Sequence, residues 1–348
     1  MKDNYYIERD RANVDKISQI LRELPLFCID FIYEIENYTT SLTRLGYVLD
    51  LRIFFDFISK YKFGIPMKKI SYNHLEKITS SDIVSFLSYL SYYTYNGRNF
   101  KNGERGKARK LASIRSLFKF LFNNDRIKFD VASKVSTPKI HEKNIVRLDL
   151  DEVEKILEQA ESASSLSQWQ QIYNKNTRER DVAILSLFLA TGIRVSELVG
   201  MNFNDIDFET NSFVITRKGG NKTVLYFSGE IKDALLKWLK VRENLKKLSQ
   251  NEKALFISLQ NRRISVRAVE NLVKKYAKAI SPLKNISPHK LRSTYGTNLY
   301  RATKDIYIVA DVLGHRDVNT TKKHYAAISE DIRKDAATKI SLRNPKNK

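Results

Sequence analysis

Two stretches of this chain gather residue types that could act on a phosphodiester. In Ser287 to Ser329, His289 and Arg292 stand three residues apart, close to one helical turn, so a helix would project both from one face. Leu313-Gly314-His315 and Thr320-Thr321 follow, and Tyr325 stands ten residues after His315. Upstream, Ala190-Thr191-Gly192-Ile193-Arg194-Val195-Ser196-Glu197-Leu198 adds Arg194. Cutting a phosphodiester without a metal sets three tasks: neutralise the nonbridging oxygens, deprotonate the nucleophile, and protonate the leaving 5′ oxygen. Arg194 and Arg292 suit the first, because a guanidinium offers phosphate a planar fork of donors. Imidazoles exchange protons near neutrality, which suits His289 to deprotonation and His315 to a hydrogen bond on a nonbridging oxygen. A phenol can attack phosphorus, but its free pKa of about 10 demands a base or a strong positive field. Taken singly, each residue has an ordinary reading: a surface His–Arg pair, a helix end at Leu-Gly-His, a surface tyrosine. Order and spacing together set them apart.

In that order and spacing the two stretches resemble the tyrosine recombinases of the phage-integrase type, and within them the Xer-like (XerS-like) branch. The resemblance spans about residues 27 to 335 and is strongest over 183–226 and 287–327. It implies a site-specific recombinase in which Tyr325 is the nucleophile. The enzyme would form a 3′-phosphotyrosine and release a 5′ hydroxyl, which rejoins strands with no ATP, metal or other cofactor. It also selects Lys218, directly before the turn glycine, as the acid for the 5′ oxygen. Two glycines in Lys218-Gly219-Gly220-Asn221-Lys222 leave Lys222 as the competing position. Glu197 matches an acidic position that buttresses an active-site arginine, and Tyr295, Tyr300 and Tyr307 fall outside the attacking position. The implied partners are double-stranded DNA carrying a specific site and further copies of the chain, as a tetramer on two sites. An apolar stripe, Ile328, Ile332, Ala336 and Ile340, suits a terminal helix that docks on a neighbouring protomer. Chromosome-dimer resolution, integration or excision, and inversion all fit. A type IB topoisomerase is the nearest rival enzyme, and the compact amino-terminal bundle and the Leu-Gly-His…Tyr spacing disfavour it. A DNA-binding regulator that has lost catalysis is the other rival, disfavoured because all six active-site residues are present.

Composition agrees with a nucleic-acid partner. Across 348 residues, 61 Lys+Arg face 39 Asp+Glu, a formal charge of +22. Such an excess draws a protein onto a polyanion by counterion release. The hydrophobic share of 42% is enough for folded cores. No apolar run approaches the ~18 residues of a membrane-spanning helix, and the start MKDNYYIERDR lacks an apolar signal region, so a cytoplasmic protein is expected. The single cysteine, Cys28, sits in an apolar run and reads as a buried thiol. The five histidines show no metal-ligand spacing, and Asp205 and Asp207 read as turn caps rather than ligands.

The elements that must carry these residues predict a mainly α protein with a small antiparallel sheet (α+β). We read 1–25 as an N-terminal helix, 26–124 as a core-binding helical DNA-binding domain, 125–147 as a linker, and 148–348 as the catalytic domain with its C-terminal tail. The family resemblance makes the helical domain a SAM-like bundle. Helices are expected over Asn13 to Leu24, Leu26 to Asn37, and Thr40 to Lys60 with Leu42, Leu45, Leu49, Ile53, Phe54 and Phe57 inward. A polar loop with Gly97, Gly103 and Gly106 then leads to a helix over Lys107 to Asn123. Lys101, Arg105, Lys107, Arg109, Lys110, Arg115 and Lys119 are candidate phosphate contacts. Asp149 and Glu152 form a capping box, and Ser162 to Thr177 reads as a polar loop. Strands are expected over Asp205 to Phe208, Ser212 to Thr216 and Thr223 to Phe227.

Overall fold

The computed structural model describes residues 4–141, 146–217, 220–245, 248–249, 252–314 and 317–318. Lys218, His315, Tyr325 and the apolar stripe of the tail lie outside the described residues. The chain forms two compact units, 1–143 and 144–348, taken here one at a time.

The first unit is a helical bundle. Its helices are α1 (Asn4–Leu21), α2 (Phe27–Glu34), α3 (Ser41–Ile58), α4 (Tyr72–Leu75), α5 (Ser80–Tyr89) and α6 (Glu104–Asn123). Local chemistry sets their ends. Thr40 Oγ1 accepts from Thr43 N at the start of α3, and Thr79 and Asp82 cap α5 reciprocally. Gly64, at φ 65°, stops the wide turn that extends α3. Within α3 the buried face is Val48, Leu51, Phe54, Phe55 and Ile58, whereas Leu42 and Leu49 are exposed. Apolar residues encircle α3, so spacing alone could not choose the inward side; packing chose it. Phe31, Phe54, Phe55, Phe86 and Phe118 fill the core, and Ile17, Leu24, Ile127, Ala132 and Val135 join them from either end of the unit. Cys28 is fully buried there, and burial pushes its thiol well above its ordinary pKa.

One correction concerns the expected loop before α6. It contains a hairpin, β1 (Tyr93–Tyr95) against β2 (Arg98–Phe100), with Tyr93 paired to Phe100. The turn residues Asn96 and Gly97 both have positive φ, 49° and 70°, as a tight two-residue hairpin turn requires. Asn-Gly between aromatic residues is the signal for that turn, and the surrounding glycines had masked it.

In the second unit, α7 (Leu150–Ser162) begins at the expected box, with Asp149 N donating to Glu152 Oε2 at 2.8 Å. The expected polar loop instead carries α8 (Gln168–Lys175), capped by Ser167 and Gln170. Then come α9 (Arg178–Thr191), α10 (Val195–Gly200) and the antiparallel sheet β3 (Ile206–Asp207), β4 (Ser212–Thr216) and β5 (Lys222–Tyr226). The unit continues with α11 (Gly229–Glu243), α12 (Val266–Ile280), α13 (Pro288–Thr303) and α14 (Ile306–Leu313). Helix α9 packs against α7, α11 and α13, so its Ala183, Ile184, Leu185, Leu187 and Phe188 are all buried. A buried carboxylate, Asp181, locks it further by accepting from Thr177 Oγ1, Arg180, Lys275 Nζ and Tyr276 Oη. The rigid helix that results ends at Thr191, where the site begins. No helix among the described residues is long and apolar enough to cross a membrane.

Candidate active site

The site grows from the turn after α9. Gly192 adopts a left-handed conformation, φ 60°. A Cβ there would lie 2.5 Å from Tyr295 Cδ1 and 2.9 Å from Leu313 Cδ2. Glycine therefore lets α13 and the end of α14 close directly on this turn. Two residues later Arg194 opens α10. Its backbone N donates to Glu197 Oε2 and its Nη1 to Glu197 Oε1, both at 2.9 Å. Glu197 is only 3% exposed. One buried carboxylate thus fixes both the main chain and the guanidinium of Arg194.

Arg292 lies one turn into α13 and is buried. Its Nη1 donates to Gly192 O at 2.5 Å and its Nη2 to Leu313 O. Arg194 Nη2 reaches Gly314 O at 3.2 Å. A third guanidinium, from Arg217 at the end of β4, donates through Nη2 to Val312 O at 3.0 Å. Three arginines from three different elements therefore meet on three successive carbonyls. These are the carbonyls that the C-terminus of α14 leaves without helical partners, and they carry its partial negative charge. Gly314, left-handed at φ 60°, ends α14 there.

Sequence-predicted residues are distributed as follows. Arg194, Glu197 and Arg292 come together. His289 is exposed in the first turn of α13, one turn before Arg292. Lys218 follows Arg217 in the chain and His315 follows Gly314, but neither is among the described residues, nor is Tyr325. The rival Lys222 is exposed at the start of β5, opposite Thr216. Tyr295 packs on Gly192, and burial raises its pKa, which is unfavourable for an attacking phenol. Arg217 is a site residue that the sequence does not reveal, since no spacing rule marks it and its partner, Val312, lies 95 residues away.

Asp205 and Asp207 serve as caps. Asp205 accepts from Asn202 N, and Asp207 from Glu209 N, Thr210 N and Thr210 Oγ1. No metal-holding cluster of three or more His, Cys, Asp or Glu occurs among the described residues.

Among the expected phosphate contacts in the first unit, Lys101, Arg105, Arg109 and Lys119 are exposed and Lys107 is half-buried, donating to Ser91 Oγ. Lys110 is a correction. It is 4% exposed and lies 3.5 Å from Asp50, a carboxylate 1% exposed. A buried carboxylate needs counter-charge, and Lys110 with Arg109 supplies it. Burial still pushes the Asp50 carboxyl up and the Lys110 ammonium down. Arg115 spends its fork on Ala132 O, Val135 O and Thr137 Oγ1, tying the segment after α6 to that helix.

Comparison with known proteins adds a second line of support. Residues 146–331 match the phage integrase family. The chain is 33% identical over 312 residues to tyrosine recombinase XerC of Caldanaerobacter subterraneus subsp. tengcongensis, covering 86% of this chain and 82% of that one. It is 29% identical over 355 aligned positions to tyrosine recombinase XerS of Streptococcus agalactiae serotype III, covering 94% and 98%. Its fold is similar to that of the XerH site-specific recombinase, crystallised with palindromic difH substrate as a post-cleavage complex. The TM-score is 0.65, with 20% identity over 86% of this chain and 80% of that one.

Proposed function

We infer the reaction from a family membership that is plain: this chain belongs to the phage integrase family and is a tyrosine recombinase, a site-specific enzyme that cuts and rejoins DNA strands. The observation that carries the residue-level reading is the meeting of Arg194 and Arg292 beside Gly314, one residue before His315. In this reading Tyr325 attacks the scissile phosphorus while Arg194 and Arg292 hold its nonbridging oxygens. Removing one such donor typically costs ~10²–10³ in rate. His289 takes the phenol proton, His315 donates to a nonbridging oxygen, and Lys218 protonates the departing 5′ oxygen. Cleavage exchanges one phosphate ester for another, so a 5′ hydroxyl from a partner strand reverses it without ATP. A nicked suicide substrate, which loses its 5′ end after cleavage, should trap the protein on DNA through Tyr325. Absence of any adduct would remove the reading.

Lys218→Ala should lose cleavage chiefly at the leaving group. A 5′-bridging phosphorothiolate, whose sulfur departs without a proton, should then recover much of the rate. Rescue of Lys222→Ala in place of Lys218→Ala would move the acid to Lys222.

Similarity to the tyrosine recombinases XerC and XerS along most of the chain supports action at a specific DNA site, and a fold similar to that of lambda integrase, crystallised as a tetramer bound to a Holliday junction, supports four protomers on two such sites. In that assembly the tail docks its apolar stripe on a neighbouring protomer. Truncation after Ala327 should leave single half-site binding intact and abolish cooperative binding to two half-sites in gel shifts. Unchanged cooperativity would assign the tail to its own protomer.

A further inference from the structure

Arg217 belongs to no step of the reaction above, yet its side chain is held at both ends. It ends β4, and the hairpin turn closes on it from both sides: Arg217 N donates to Asn221 O at 2.8 Å, and Gly220 N to Arg217 O at 3.0 Å. From this fixed root its guanidinium crosses to α14 and donates to Val312 O. Its Nη1 fills the space beside Gly314: a Cβ built there would sit 1.1 Å from Arg217 Nη1 and 2.2 Å from Cζ. Only glycine leaves room for it. Arg217 Nε is buried and has no hydrogen-bond partner among the described residues. Burial draws the guanidinium below its ordinary pKa and Arg194 adds to this, while Glu197 and Asp311 oppose it. A cation is thus held partly desolvated beside a second cation, an arrangement that stability alone does not favour. The contact does join the residue before Lys218 to the residue before His315.

We propose that Arg217 is a positioning residue for strand cleavage, clamping the β4–β5 hairpin to the Val312–Gly314 end of α14 so that Lys218 and His315 are presented to one phosphate in fixed register. This rests on the strand-cleavage reading given above. During cleavage the tyrosine oxygen bonds to phosphorus and the bond from phosphorus to the 5′ oxygen breaks. The bonding pair leaves on that oxygen, which takes its proton from the Lys218 ammonium. A hairpin freed from α14 leaves the attack intact in principle and misplaces only the proton donor. A displacement of about 1 Å is enough to cost ~10²-fold.

The test measures single-turnover cleavage of two suicide substrates, one with oxygen and one with sulfur at the 5′-bridging position. With full-length Arg217→Ala, half-site binding should be unchanged and cleavage of the oxygen substrate about 10²-fold slower. The sulfur substrate should recover most of that loss, as for Lys218→Ala. Arg217→Lys, able to reach Val312 O but without a second nitrogen to fill the space beside Gly314, should fall between. Gly314→Ala expels the guanidinium, so adding Arg217→Ala to it should slow the oxygen substrate little further. Arg217→Ala cleaving as fast as wild type, or equally slowed on both substrates, would overturn the proposal. So would full additivity of the two substitutions. If Arg217→Ala loses half-site binding, Arg217→Lys carries the same comparison of substrates. A wild-type protein that traps no DNA refutes the strand-cleavage reading itself, whereas a wild-type adduct with an indifferent Arg217→Ala refutes only the clamp.

Discussion

Tyr325→Phe should bind its DNA site as the wild type does and trap no DNA on a nicked suicide substrate. The substitution removes one oxygen, the attacking one in the proposed reaction, and leaves untouched the arginines gathered at the end of α14. Affinity and chemistry should therefore separate completely, with binding kept and adduct lost. Neither Tyr295 nor Tyr307 is placed to substitute. Tyr295 is wedged against Gly192, and its withdrawal would open the turn that supplies Arg292 with a carbonyl. Tyr307 stands in the first turn of α14, about 9 Å of helix rise from the arginines at its other end. Denaturing gels and peptide mapping decide the matter: a surviving adduct on Tyr295 or Tyr307 would displace Tyr325 as the nucleophile.

DNA affinity should collapse as salt rises. With a net charge of +22 and about 6–10 phosphate contacts, moving from ~50 to ~200 mM salt should weaken binding ~10³–10⁵-fold. The structure sharpens the expectation by sorting the basic residues of the first unit. Arg105→Ala or Lys119→Ala, each removing an exposed cation, should lower the log–log slope by about one. Lys110→Ala should leave the slope alone and instead unfold at lower denaturant, because Asp50 would lose a buried partner. An anisotropy titration series reads all three. A flat profile would count against DNA as the main partner, and a slope change in Lys110→Ala would return that lysine to the interface.

Part of the candidate site is legible in the chain because its signals are local. Arg194 and Glu197 are three residues apart, and a single turn of α10 brings them together. The capping box at Asp149, the strand at Ser212 to Thr216 and the helix end at Gly314 are likewise short-range. What escaped is of two kinds. The hairpin at Tyr93 to Phe100 had a clear Asn-Gly turn, overshadowed by a glycine-rich, polar surrounding. Lys110 and Arg217 carry no local signal at all. Their roles depend on Asp50, on α3, and on Val312, on α14, partners that only the folded chain supplies. A lysine among lysines looks solvated until a buried carboxylate is found beside it.

In the proposed reaction, the resting of Arg194 and Arg292 on the negative end of α14, beside Arg217, has a consequence for the thermodynamics of each turnover. Like charges gathered in water would repel, and each would carry an ordered hydration shell to be stripped when a phosphate arrives. Here the carbonyls of Val312, Leu313 and Gly314 already take the place of part of that water. A peptide dipole does not diffuse away when product leaves, so the solvent around the arginines need not rearrange with every strand exchanged. Reorganisation, ordinarily a recurring part of the activation barrier, was completed once, when the chain folded.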